Sequence, residues 1–140
     1  MSGDRHPAPP ESQATFIAEL QSRYAETGPG RLVSEADMER WTEIVGATRR
    51  DAYDVLARHL AIGFHKGQFS FGFCDALAIA VVGFVYDDFI SLGEESWPSF
   101  FNEVYLAFDA GEVGQPGTDA VEAFARPMIA KIVEDLADDA

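Results

Sequence analysis

A single cysteine, Cys74, stands among 140 residues, so no intrachain disulfide can form. An N-terminal apolar segment of the signal-peptide kind is also missing, and the two absences together point to the cytoplasm. The apolar run at residues 76–86 is too short for a bilayer. It lies between Asp75 on one side and Asp87 and Asp88 on the other, whereas a spanning helix needs about 20 apolar residues. An Asp near the bilayer centre costs about 2.5–3.5 kcal/mol, so no membrane span is expected. Base is scarce where acid is dense. Net charge is −14, and residues 71–140 hold only two basic residues, Arg126 and Lys131, against fourteen acidic ones. Residues 1–70 are nearly balanced, with eight basic and ten acidic residues. Nucleic-acid binding needs clustered bases to neutralise phosphates, and this distribution argues against it. Arg49, Arg50 and Arg58 on a forced helix-turn-helix would be the only candidates for such a role, and the overall acidity opposes them. The same distribution suits a basic protein partner, or solubility alone.

Signature motifs are absent too. There is no P-loop, no G-x-G-x-x-G, no G-x-S-x-G, no C-x-x-C, no EF-hand loop, no H-E-x-x-H and no E-x-x-H. No segment alternates with period two over a useful length, which excludes a sheet.

What is present is apolar residues at helical spacing. Phe16, Ile17, Leu20 and Tyr24 define a first helix over residues 11–26, ended by Gly28-Pro29-Gly30. Residues 1–10, MSGDRHPAPP, read as a disordered tail. Ser34 caps a second helix with the stripe Met38, Trp41, Ile44 and Val45. Its Glu35, Glu39 and Glu43 form a row that Arg40 and Arg49 soften. Thr48 caps a third helix reaching His65, with the stripe Ala52, Val55, Leu56, Leu60 and Gly63. His59 lies on that stripe and reads as a core histidine with one hydrogen-bonded nitrogen, or as a ligand or general base. Ser70 caps a fourth helix over residues 71–92. This helix is apolar on every side and is therefore expected to be buried at the centre of the molecule. Cys74 reads as a small core residue. Pro98 suits the first position of a fifth helix, with the apolar residues Phe100, Phe101, Val104, Tyr105 and Phe108. Asp119 opens a last helix whose stripe, Val121 to Leu136, keeps its phase through Pro127. The unbroken phase argues for one bent helix, the alternative being that Pro127 begins a separate final helix after a short break. The fold class is all-α: residues 11–140 form one domain of six helices around a buried central helix.

The acids are placed oddly. Asp87 and Asp88 end the fourth helix, Asp109 and Glu112 end the fifth, and Asp138 and Asp139 close the chain. Acid at a helix C-terminus is disfavoured by about 0.3–1 kcal/mol per charge. Antiparallel packing beside positive helix starts would offset that cost. Alternatively, Asp87, Asp88, Glu94, Glu95, Glu103, Asp109 and Glu112 form one face that meets a partner.

The segment Phe101-Asn102-Glu103-Val104-Tyr105-Leu106-Ala107-Phe108-Asp109-Ala110-Gly111-Glu112 resembles part of a group of short, uncharacterised bacterial proteins. Gly67-Gln68-Phe69-Ser70-Phe71 and Arg126-Pro127-Met128-Ile129 resemble the same group, about half the chain in all. Some of these small acidic proteins are similar to immunity proteins that neutralise toxins. The resemblance implies a stoichiometric inhibitor rather than a catalyst, and it assigns no site residue; the charge imbalance makes a basic protein its expected partner, and no cofactor is expected. Two other readings stand beside it. A small metal binder or metal-dependent enzyme would use Asp87, Asp88 and Glu103, with His59. A structural homodimer would use the surplus among eleven Phe residues as its interface.

Overall fold

The computed structural model of the chain describes residues 10–112 and 117–138. Residues 1–9 of the tail expected over 1–10, residues 113–116 of the expected loop, and Asp139 lie outside the described residues, while Pro10 already begins the first helix. Six helices follow one another: α1 (Pro10–Thr27), α2 (Glu35–Val45), α3 (Arg49–His65), α4 (Phe71–Leu92), α5 (Ser99–Ala110) and α6 (Arg126–Asp138). The chain is an all-α single domain, and no strand occurs among the described residues.

Local chemistry sets the helix starts. Ser34 Oγ accepts from the Asp37 amide at 3.1 Å, while Asp37 Oδ2 accepts from the Ser34 amide at 2.9 Å, closing a capping box. Thr48 and Ser70 cap α3 and α4 in the same way, each accepting a backbone N–H at 3.1 Å. Gly46 and Gly67 take positive φ of 75° and 78° where α2 and α3 end. Pro98 sits one position earlier than expected, as the residue before α5, because a 3-10 turn at Glu94–Ser96 occupies the connection. Pro98 offers no side-chain cap. Asp54 of α3 supplies one from across the interface, its Oδ1 accepting from the Phe101 amide at 2.8 Å.

The last helix passes through Pro127 without a break. A π-helical turn, Val121–Ala125, leads directly into α6, and the Arg126 N–H bonds to Val121 O, five residues back. Proline lacks an N–H and clashes with the carbonyl four residues earlier. The wider turn just ahead of Pro127 absorbs both defects and keeps the helix continuous.

The centre of the molecule is α3, not α4. Helix α3 packs against α2, α4, α5 and α6, and His59 ties it to α1 through Gln13. Its buried residues are Ala52, Tyr53, Leu56, Ala57, Leu60, Ala61, Gly63 and Phe64. Small residues let neighbours approach closely. A Cβ at Gly63 would lie 2.2 Å from the Phe69 ring. Helix α4 buries only one side, through Phe73, Cys74, Leu77, Ala78, Val81 and Val85. Its other side is open, with Ile79 46%, Tyr86 47% and Ile90 81% exposed. The expectation of a helix wrapped on all sides is therefore corrected. An all-round apolar composition does not by itself supply neighbours on every side.

Aromatic rings fill the core. Phe16 stacks on Trp41 at 5.0 Å, and Phe64 meets Phe108 edge-on at 5.6 Å. Phe16, Phe64, Phe73, Phe101 and Phe108 are buried, Phe69, Phe71, Phe84 and Phe100 pack partly buried against them, and Phe89 and Phe124 are exposed.

Candidate functional site

The open side of α4 carries apolar residues at alternating spacings of three and four: Ala76, Ile79, Gly83, Tyr86 and Ile90. Such spacing places them in one seam along the helix. A loop runs beside one edge of the seam. Between that loop and α4 lies a groove of about 410 Å³, lined by Pro29, Leu32, Val33, Ile79, Ala80 and Phe84. Arg31 and Asp87 stand at its margin. Arg31 holds a left-handed φ of 55° there.

Gly83 lies on this seam in mid-helix, and a Cβ built on it would meet nothing within 4 Å. A helix-interior Gly costs about 0.5–1 kcal/mol relative to Ala. Nothing in the fold of this chain requires the glycine.

At the other edge of the seam three carboxylates gather. Asp75 of α4 faces Asp109 and Glu112 at the end of α5. Burial, followed by the charges of Glu112 and Asp109, pushes the Asp75 carboxyl up to about 7. Burial and contact with Asp109 also raise Glu112. The Tyr105 hydroxyl beside them is raised by burial first, then by Asp109, Tyr86, Glu112 and Asp75. The cluster is poor in cations, which reflects the missing bases of the second half.

The seven acids expected on one face are not brought to one place. Asp109 and Glu112 converge with Asp75. Asp87 lies about 18 Å from Asp75 along α4, at about 1.5 Å per residue, and borders the groove on the opposite edge. Glu94 and Glu95 occupy the exposed 3-10 turn beyond the end of α4, and Glu103 is exposed on α5. Asp88 turns inward instead. Its Oδ2 accepts from the Tyr53 hydroxyl at 2.7 Å and pairs with Arg49 Nε at 3.2 Å. Arg49 also holds Glu35, the first of the acidic row on α2, through two bonds of 2.8 and 3.0 Å, whereas Arg40 turns to Glu19 and Asp37 and not to the row. Glu35 is lowered by that contact with Arg49. Among the described residues, no ion pair reaches Asp87, Glu94, Glu95, Glu103, Asp109 or Glu112.

The residues of the metal reading do not assemble. No group of three or more His, Cys, Asp or Glu side chains among the described residues is arranged to hold an ion. His59 faces Gln13 Oε1 at 2.7 Å and the edge of Trp41. Burial, then Arg58, lowers its pKa. Cys74 is buried, and burial raises its thiol, so it is an inert core residue. No described helix is long and apolar enough to cross a membrane.

Sequence reasoning missed Asp75, Gly83 and the open seam. Asp75 reads as the flank of an apolar run, and its neighbours come from another helix. A period of three and four through Ala76, Ile79, Gly83, Tyr86 and Ile90 was the available signal, hidden by equally apolar residues on the buried side. Compared with protein-family models, curated proteins and solved structures, the chain matches none.

Proposed function

We propose that the protein is an acidic interaction protein that binds a basic protein partner, in the manner of an immunity or inhibitor protein. The observation that carries this reading is an exposed apolar seam on α4 beside Asp75, Asp109 and Glu112, none of which forms an ion pair among the described residues. Apolar area supplies the favourable contact and the surrounding acid selects the partner by charge. Stoichiometric blocking of a cationic surface needs no catalytic group, and it fits a cytoplasmic protein with one buried thiol. Titration calorimetry against a panel of small basic toxin-like proteins tests the proposal. Binding of at least one, weakening steeply as salt rises, is expected. Asp109→Asn with Glu112→Gln should weaken it further. Absence of salt-sensitive binding across the panel would remove the reading.

A further inference from the structure

We propose that the occupant of the α4 seam is a single amphipathic helix of the basic partner, laid over Gly83 with its cationic flank toward Asp75, Asp109 and Glu112. This inference rests on the basic-partner reading and adds the form of the recognised element. Three observations carry it. The seam follows the three-and-four spacing by which one helix packs along another. At its midpoint stands Gly83, with open space where a Cβ would be, so a second backbone can approach there. Beside it the groove of about 410 Å³ offers an apolar slot bounded by Val33, Ala80 and Phe84, the size of one or two large apolar side chains.

Charge decides the orientation. One edge of the seam carries Asp75, Asp109 and Glu112, where burial and the charges of Glu112 and Asp109 raise Asp75, and burial and contact with Asp109 raise Glu112. A row of Lys or Arg placed there would neutralise them. The groove edge is mixed, with both Arg31 and Asp87 lining it, so the cations belong on one flank only. A second copy of the chain fits poorly. It would bring the same carboxylates to the seam and another net charge of −14.

The test uses the full chain and a synthetic peptide of about three heptads, with a Leu/Ala stripe flanked by Lys. A scramble of the same composition and a version with Glu in place of Lys serve as comparisons. The Lys peptide should bind at least about tenfold tighter than its scramble by fluorescence anisotropy, and the Glu peptide should not bind. Gly83→Leu should weaken the Lys peptide by about tenfold or more without lowering Tm. Tyr86→Glu, on a half-exposed side chain, serves the same purpose if Gly83→Leu folds poorly. Equal, salt-sensitive binding of the Lys peptide and its scramble would overturn helix docking while leaving the basic-partner reading intact. Binding of the Glu peptide as tight as that of the Lys peptide would also overturn it. Failure of every cationic peptide would remove both. A dimer in sedimentation that Gly83→Leu abolishes would assign the seam to a second copy and overturn the proposal.

Discussion

Among single residues, Gly111 and Asp75 make the sharpest demands. A Cβ on Gly111 would stand 2.7 Å from the Phe71 ring and 2.9 Å from Ala125 Cβ. Those neighbours belong to α4 and to the π-helical turn before α6, so three elements converge on a space without a side chain. Gly111→Ala should destabilise the fold by about 1–3 kcal/mol, as overpacking does, and urea denaturation measures it. Asp75 makes a pH prediction. Its folded pKa of about 7 stands above the ordinary 3.8, so between those values the folded chain retains a proton that the unfolded chain releases. That contribution to stability is complete below the ordinary value and is lost as pH rises through about 7. Asp75→Asn cannot ionise and escapes the loss. Its Tm advantage over the parent should therefore be larger at about pH 8 than at about pH 5. An equal difference at both pH values would contradict the crowding of Asp75 by Asp109 and Glu112.

Helix starts and stops were readable from the sequence because their chemistry is local. Ser34, Thr48 and Ser70 each find a backbone N–H three residues ahead, and no distant element is needed. The start of α5 is different. Its cap comes from Asp54, 47 residues away, and nothing near Pro98 announces it. Asp54→Ala should cost about 0.5–2 kcal/mol, the range of a lost N-cap. Asp54→Asn, which keeps an acceptor oxygen, should lose much less in the same thermal melt. The exposure of α4 was hidden for a related reason. Phe73, Leu77 and Val81 are as apolar as Ile79, Tyr86 and Ile90, and only the positions of α3, α5 and the α1–α2 loop decide which side is covered. Pro127 is intermediate. The phase of its stripe indicated a continuous helix, but the π-helical turn that makes continuity possible leaves no mark in the pattern.

For the molecule as a whole, charge is divided as unevenly in space as in sequence. Arg23, Arg40 and Arg49 lie in α1 to α3 and pair there with Glu19, Asp37 and Glu35. In the second half the described pairs are Arg126 with Glu122 and Lys131 with Asp135, four residues apart in each case, and Asp88, which reaches back to Arg49 of α3. The remaining acids repel one another across α4, α5 and the turn between them. Screening that repulsion should stabilise the fold. Tm should rise as NaCl is increased from about 0.01 M to about 0.5 M, where the Debye length falls from about 30 Å to a few ångströms. A Tm that falls with salt would show that the ion pairs of the first half dominate. Because α3 rather than α4 occupies the middle, the outward residues of α4 carry little responsibility for foldability. An exchange at Ile90, 81% exposed, belongs with surface substitutions that usually change stability by no more than about 0.5 kcal/mol, while Tyr86 keeps a contact with the Trp97 ring. Descendants of this chain are therefore free to rewrite that strip and acquire new specificities while inheriting the same scaffold.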